Sequence, residues 1–271
     1  MAETEKGLLD LLKDYAPLVA YAALAQPWLV WVWKQYVRRG KVDIYETGTV
    51  SVGFTQWGAT IGLNGTLRAT ERDLFIRTIK VEVIKERDRS HHSFEWGLFR
   101  DPTMSSDAVL ELPAGFMLST ANPYRYNIMF YEPQLKEEIT PYINSVRDSW
   151  TQTVLDSGAR ELLQQGSNVQ QQDVSELQNR LNQQYTNFKS QALYLTPFRE
   201  MERKCYWEPG RYLLKMSVYT EKPDRVHNSE WHFSISEQDA RRLRNNTSMI
   251  LDNACSRGNF QYNFSESQYE T

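Results

Sequence analysis

The chain offers few side chains with the chemistry of a catalyst, and their spacing scatters them. Its four histidines are His91, His92, His227 and His232. His91 and His92 sit in an expected turn beside Asp88. His227 and His232 are five apart on an expected strand, which sends them to opposite faces and away from one shared metal ion. Cys205 follows Arg203 and Lys204, cations that could lower a thiol pKa, but no base is placed beside it in sequence. Glu95 beside Trp96, with Arg100 and Asp101 following, forms a charged cluster whose plain reading is a rim ion pair. Gly53, Gly58, Gly62 and Gly65 are dense enough to suggest a phosphate cradle. They lie among alternating strand residues rather than before a helix, so bends or bulges account for them better. No G-x-S-x-G, P-loop or H-E-x-x-H sequence occurs. These residues predict no enzyme, no cofactor and no metal.

The elements that would hold such residues are read from the same sequence. Charge is absent from Tyr15 to Trp33, and Lys34, Arg38, Arg39 and Lys41 follow with no acid among residues 34–41. Nineteen such residues would make a helix of roughly 28 Å, near the ~30 Å of a hydrocarbon core. Trp28, Trp31, Trp33 and Tyr36 resemble an interfacial aromatic belt, and the cations after them place the main domain on the cytoplasmic side. The expectation is a single-pass transmembrane helix. Gln26-Pro27 weakens it and leaves two alternatives, an interfacial helix and a buried one.

Beyond Lys41 the apolar period becomes two. Val50, Val52 and Phe54 alternate with polar residues, as do Ile79, Val81 and Val83, then Tyr124, Tyr126, Ile128 and Phe130. The pattern returns at Tyr212, Leu214, Met216 and Val218, and at Trp231, Phe233 and Ile235. About nine strands at this spacing predict a mainly β fold, an antiparallel β-sandwich of immunoglobulin-like architecture, with a closed barrel as the alternative. Residues 134–200 read as a helical insertion. Leu135, Ile139, Ile143, Val146 and Trp150 mark one helix, with Pro141 expected in a first turn or bend. Val174, Leu177, Leu181, Tyr185 and Phe188 mark a second, a hairpin partner with a neutral polar face and the candidate surface for a protein partner or a second copy. Pro197 is expected to close this insertion. Ser236 to Asp239 reads as a helix N-cap opening a C-terminal helix, and the tail from Phe260 as partly disordered.

The expected organisation is therefore an anchor with its basic run (1–41), a first sandwich part (42–133), the insertion (134–200), and a second sandwich part with C-terminal helix and tail (201–271). The stretch VGFTQWGATIGLNGTLRATERDLFIRTIKVEV (52–83) resembles the opening strands of sandwich adaptors, arrestin-like proteins among them. The resemblance implies a sandwich and carries no site residue. A net charge of −3 argues against a nucleic-acid surface over the whole molecule. Two cysteines, Cys205 and Cys255, exclude a disulfide scaffold and are expected to be free and buried unless the domain faces an oxidising compartment. Function follows as an expectation: a non-enzymatic interaction, scaffold or sensor protein bound to membrane lipid through residues 15–41. A tethered domain that binds a small ligand or a lipid head group is the alternative.

Overall fold

The computed structural model describes residues 25–33, 40–99, 114–156, 171–221, 224–258 and 261–270. The described residues form nine strands: β1 (Lys41–Thr55), β2 (Gly58–Thr70), β3 (Leu74–Lys85), β4 (His91–Phe99), β5 (Phe116–Leu118), β6 (Tyr124–Tyr131), β7 (Gly210–Glu221), β8 (Arg225–Ile235) and β9 (Phe264–Glu270). They do not form two sheets. The order β4-β6-β2-β1-β9-β8-β7-β3 returns to β4 through a β3–β4 pairing, so eight antiparallel strands close on themselves, and β5 extends the same edge of β3. The expected immunoglobulin-like sandwich, and with it the arrestin-like resemblance, is overturned by that closure. A closed sheet and a packed pair of sheets demand the same inward-outward alternation, so the period alone does not separate them.

One residue of every two fills the interior. Val50, Val52, Phe54, Ile61, Leu63, Val81, Val83, Phe94, Ile128, Phe130, Leu214 and Met216 are all buried. Side chains fill a barrel of eight strands in this way. One end is covered by helices. α1 (Pro133–Val154) leaves β6 directly, with proline in its first turn, where a missing N–H costs nothing. It buries Leu135, Ile139, Val146 and Trp150, the face expected from their spacing. Pro141 lies inside this helix, not in a first turn or bend, and on its exposed side, where water can reach the carbonyl that loses its partner. α2 (Gln171–Lys189) follows, then α3 (Ala192–Lys204), which runs through Pro197 instead of stopping there. α4 (Glu237–Ala254) starts where Ser236 Oγ accepts the Asp239 N–H at 3.1 Å, the predicted N-cap. Trp207 is fully buried in the covered end, near Phe94 and Tyr212, and its Nε1–H donates to the Gly53 carbonyl at 2.8 Å.

The spanning helix expected over residues 15–33 is a second correction. No helix among the described residues is long and apolar enough to cross a membrane. Within the expected span, residues 25–33 are described and are helical. Residues 15–24, and the predicted anchor residues Lys34, Tyr36, Arg38 and Arg39, lie outside the described residues. Lys41 begins β1 and pairs with Asp43 at 2.7 Å.

Candidate functional site

Residues 25–33 form the most unusual surface of the described chain. Every side chain of this helix is exposed, among them Trp28 at 71%, Leu29 at 66%, Trp31 at 52% and Trp33 at 57%. Six consecutive apolar residues at 100° per residue leave no polar face. A helix apolar all round is normally buried in a core or in lipid. Trp28 and Trp31, three apart, meet edge to face at 6.1 Å. Fully burying a large apolar side chain contributes about 1.5–3 kcal/mol. With roughly half of each exposed, the six together offer about 5 kcal/mol or more to whatever covers them.

The second predicted surface, on α2, is used within the chain at its C-terminal end. Phe188 is fully buried, and Tyr185 and Leu181 are partly so. The side chains of Val174 and Leu177 lie outside the described residues. Tyr185 and Phe188 pack on Trp150 of α1 at 4.9 and 5.5 Å between ring centroids. Asp252 of α4 gathers the neighbouring polar groups. It accepts from the Tyr185 hydroxyl at 2.6 Å, from the Tyr194 hydroxyl of α3 at 3.1 Å, and from Lys189 Nζ at 3.1 Å. The two phenol pKa values rise well above their ordinary value through desolvation and the Asp252 charge. The C-terminal part of the candidate partner helix thus packs on its own barrel cap.

The covered barrel end holds a polar network that the sequence reading did not foresee. Glu132 accepts from the Tyr206 hydroxyl at 2.7 Å and lies 3.4 Å from His92 Nδ1, while the His92 and Tyr206 rings stack at 3.6 Å. Beside it, Lys85 has a side chain only 7% exposed and is held by Glu208 at 2.6 Å and Asp88 at 3.3 Å. The Ser90 N–H and hydroxyl and then Lys85 hold the Asp88 carboxyl down to about 2, so this buried ammonium keeps its counter-charges. Glu208 and Tyr206 come from a segment more than a hundred residues away in sequence from Lys85 and His92, which hides such pairs from a spacing argument.

No family model, curated protein or solved structure matches this chain.

Its chemistry therefore rests on geometry alone, and the other sequence candidates do not converge. His91 and Glu95 share the outer face of β4 but stand four residues apart, roughly 13 Å along a strand. His91 Nε2 faces Glu82 at 3.4 Å, and Glu95 lies opposite Lys80 across the β3–β4 ladder, beside a hollow of about 220 Å³ lined also by Arg77 and Trp96. Arg100 and Asp101 lie outside the described residues. His232 faces Glu86 at 2.7 Å, whereas His227 Nδ1 accepts the Val42 N–H at 3.3 Å. Among the described residues no group of three His, Cys, Asp or Glu could hold a metal ion. Cys205 and Cys255 are free and buried. Burial pushes the Cys205 thiol up to about 12 against the backbone hydrogen bond at Trp207 and the charge of Arg244, which leaves it a neutral thiol at neutral pH.

Proposed function

We propose that the protein is a non-enzymatic interaction or scaffold protein that attaches, through residues 15–41, to the anionic cytoplasmic face of a membrane without crossing it, and presents its barrel and helical cap from that surface. One observation carries this reading: the helix at 25–33 exposes Trp28, Leu29, Val30, Trp31, Val32 and Trp33 together. Tryptophan prefers the headgroup level, where its ring is apolar on one side and its N–H is wet. The sequence places Lys34, Arg38, Arg39 and Lys41 directly after these rings with no acid between, and each cation near an anionic leaflet contributes about 1 kcal/mol. Aromatic insertion and lipid charge complementarity thus fall on one short segment. A helix of this kind lies in the interface with its apolar side chains in the acyl boundary.

Flotation with vesicles of phosphatidylcholine and phosphatidylserine tests the proposal. The full chain is expected to float with the vesicles, and W28S/W31S/W33S to stay at the bottom of the gradient with an unchanged melting temperature. Equal flotation of both proteins, or of neither, would sink it. Carbonate at alkaline pH should strip the wild type from the vesicles, because a peripheral helix is not held as a spanning one is.

A further inference from the structure

A second surface, independent of the lipid reading, lies where the C-terminal turns of α1 and α4 meet α2. A hollow of about 430 Å³ opens there, within the size range of small-molecule sites. Its wall is apolar: Trp150 and Leu155 from the end of α1, Leu181 from α2, and Cys255 just after α4. Burial and the Asp252 charge push the Cys255 thiol up to about 11, so the sulfur is a neutral wall atom at physiological pH. Two cations, Arg147 and Arg257, line the same hollow, and no carboxylate among the described residues does.

The nearby acids are already engaged or open to water. Asp252 is occupied by Lys189 and two phenols. Asp148 reaches Arg147 only across an exposed 3.5 Å contact, which contributes little in water. Arg257 is pre-positioned: its guanidinium lies 5.5 Å from the Trp150 ring and 5.9 Å from the Tyr185 ring, and Nη1 donates to Asn182 Oδ1 at 3.0 Å. That bond uses one of five N–H groups and leaves others for a ligand. An apolar wall with two guanidinium groups and no carboxylate is complementary to one ligand chemistry, a hydrocarbon chain ending in an anion. We infer that this groove binds a free medium-chain fatty carboxylate, with its alkyl chain against Trp150, Leu155 and Leu181 and its carboxylate between Arg147 and Arg257.

Calorimetric titration with decanoate below its micellar concentration tests the site. The W28S/W31S/W33S chain is the titrated protein, so that uptake on the exposed tryptophan helix cannot imitate binding and failure of the lipid reading stays separate. One decanoate per chain is expected. Decanol should bind at least tenfold more weakly, and R147Q/R257Q should lose tenfold or more of decanoate affinity. L181W, which fills the groove and keeps both cations, should abolish binding. R147Q alone, which leaves the Arg257 stack intact, serves if the double variant melts early. Decanoate should also slow alkylation of Cys255 in the unmodified cysteine background. The inference is overturned if decanoate does not bind, if decanol matches it, or if neither arginine nor Leu181 affects it. It is equally overturned if sedimentation shows a dimer that R147Q/R257Q dissolves, since a second copy would then be the occupant.

Discussion

Glu46 puts a carboxyl on the inward side of the barrel wall. It lies on β1 opposite Gly65, on the inward parity of Val42, next to a register irregularity that ends at Val50. Its Oε2 is buried without a hydrogen-bond partner among the described residues. Burial, and then the Glu46 charge, raise the hydroxyl pKa values of the nearby Tyr126 and Tyr269. Desolvation raises the Glu46 carboxyl from 4.5 to about 7. The folded state therefore keeps a proton that the unfolded chain has released, so the contribution of this group to stability is full below pH 4.5 and is lost as pH rises through about 7. A tenfold difference in proton affinity between the two states corresponds to about 1.4 kcal/mol. Water reaching the partly open side chain reduces the total to about 1–2 kcal/mol. Denaturant unfolding should show the wild type losing that much between pH 5 and pH 8. E46Q should hold its stability over the same interval and exceed the wild type at pH 8. Parallel pH profiles for the two proteins would show that the carboxyl is solvated. Nothing in the alternation singled Glu46 out, because a lone acid on an inward position looks like an ordinary register slip in the pattern.

At the scale of elements, the strand that closes the barrel is the one the sequence concealed. β9 pairs with β1 from Thr49 to Gly53 and with β8 at His232 and Phe233. Its inward positions are Ser265, Ser267 and Tyr269, the two serines buried and the tyrosine packed on the core, so the apolar alternation that marked other strands is interrupted and the segment reads as a tail. Closure depends on pairing with a strand more than two hundred residues away, which no local pattern encodes. The helices were more legible. The apolar face of α1 was placed by its 3.6-residue period and the start of α4 by its N-cap, whereas α3 was obscured by Pro197 and by its closeness to α2. S267P places an N–H-less residue in the β1–β9 ladder opposite Val50, and each buried backbone group left unpaired costs about 1–3 kcal/mol. Hydrogen exchange should then rise along Thr49–Gly53 of β1 while the β3–β7 ladder stays protected. Uniform protection in the variant would mean that β9 contributes nothing to closure. The helical cap has a comparable tie in Asp252, which joins α2, α3 and α4. D252A strands two phenols and an ammonium and is expected to lower stability by about 2–4 kcal/mol, with α2 exchanging first.

For the whole molecule, the distribution of charge decides how a membrane-facing barrel would sit. The chain carries −3, and residues 34–41 contribute four cations and no acid, so subtracting those four leaves −7 on the rest. An anionic leaflet therefore attracts one end of the chain and repels its body. On the proposed membrane attachment, the sign asymmetry would orient the molecule with the basic run toward lipid and the barrel away from it. Apolar insertion of the tryptophan helix, about 5 kcal/mol or more, exceeds what four screened cations supply at physiological salt. The two contributions should separate in measurement. Replacing Lys34, Arg38, Arg39 and Lys41 with glutamine is expected to weaken binding to phosphatidylserine vesicles by about 10–100-fold and to remove most of its salt dependence, because each cation near the leaflet is worth about 1 kcal/mol before screening. Binding to pure phosphatidylcholine should barely change. Sedimentation with vesicles at low and high NaCl, about 50 and 500 mM so that the Debye length falls well below 10 Å, reads both effects. If the quadruple variant keeps the salt slope of the wild type, the attraction comes from another face of the molecule, and the orientation argued from the charge asymmetry is wrong.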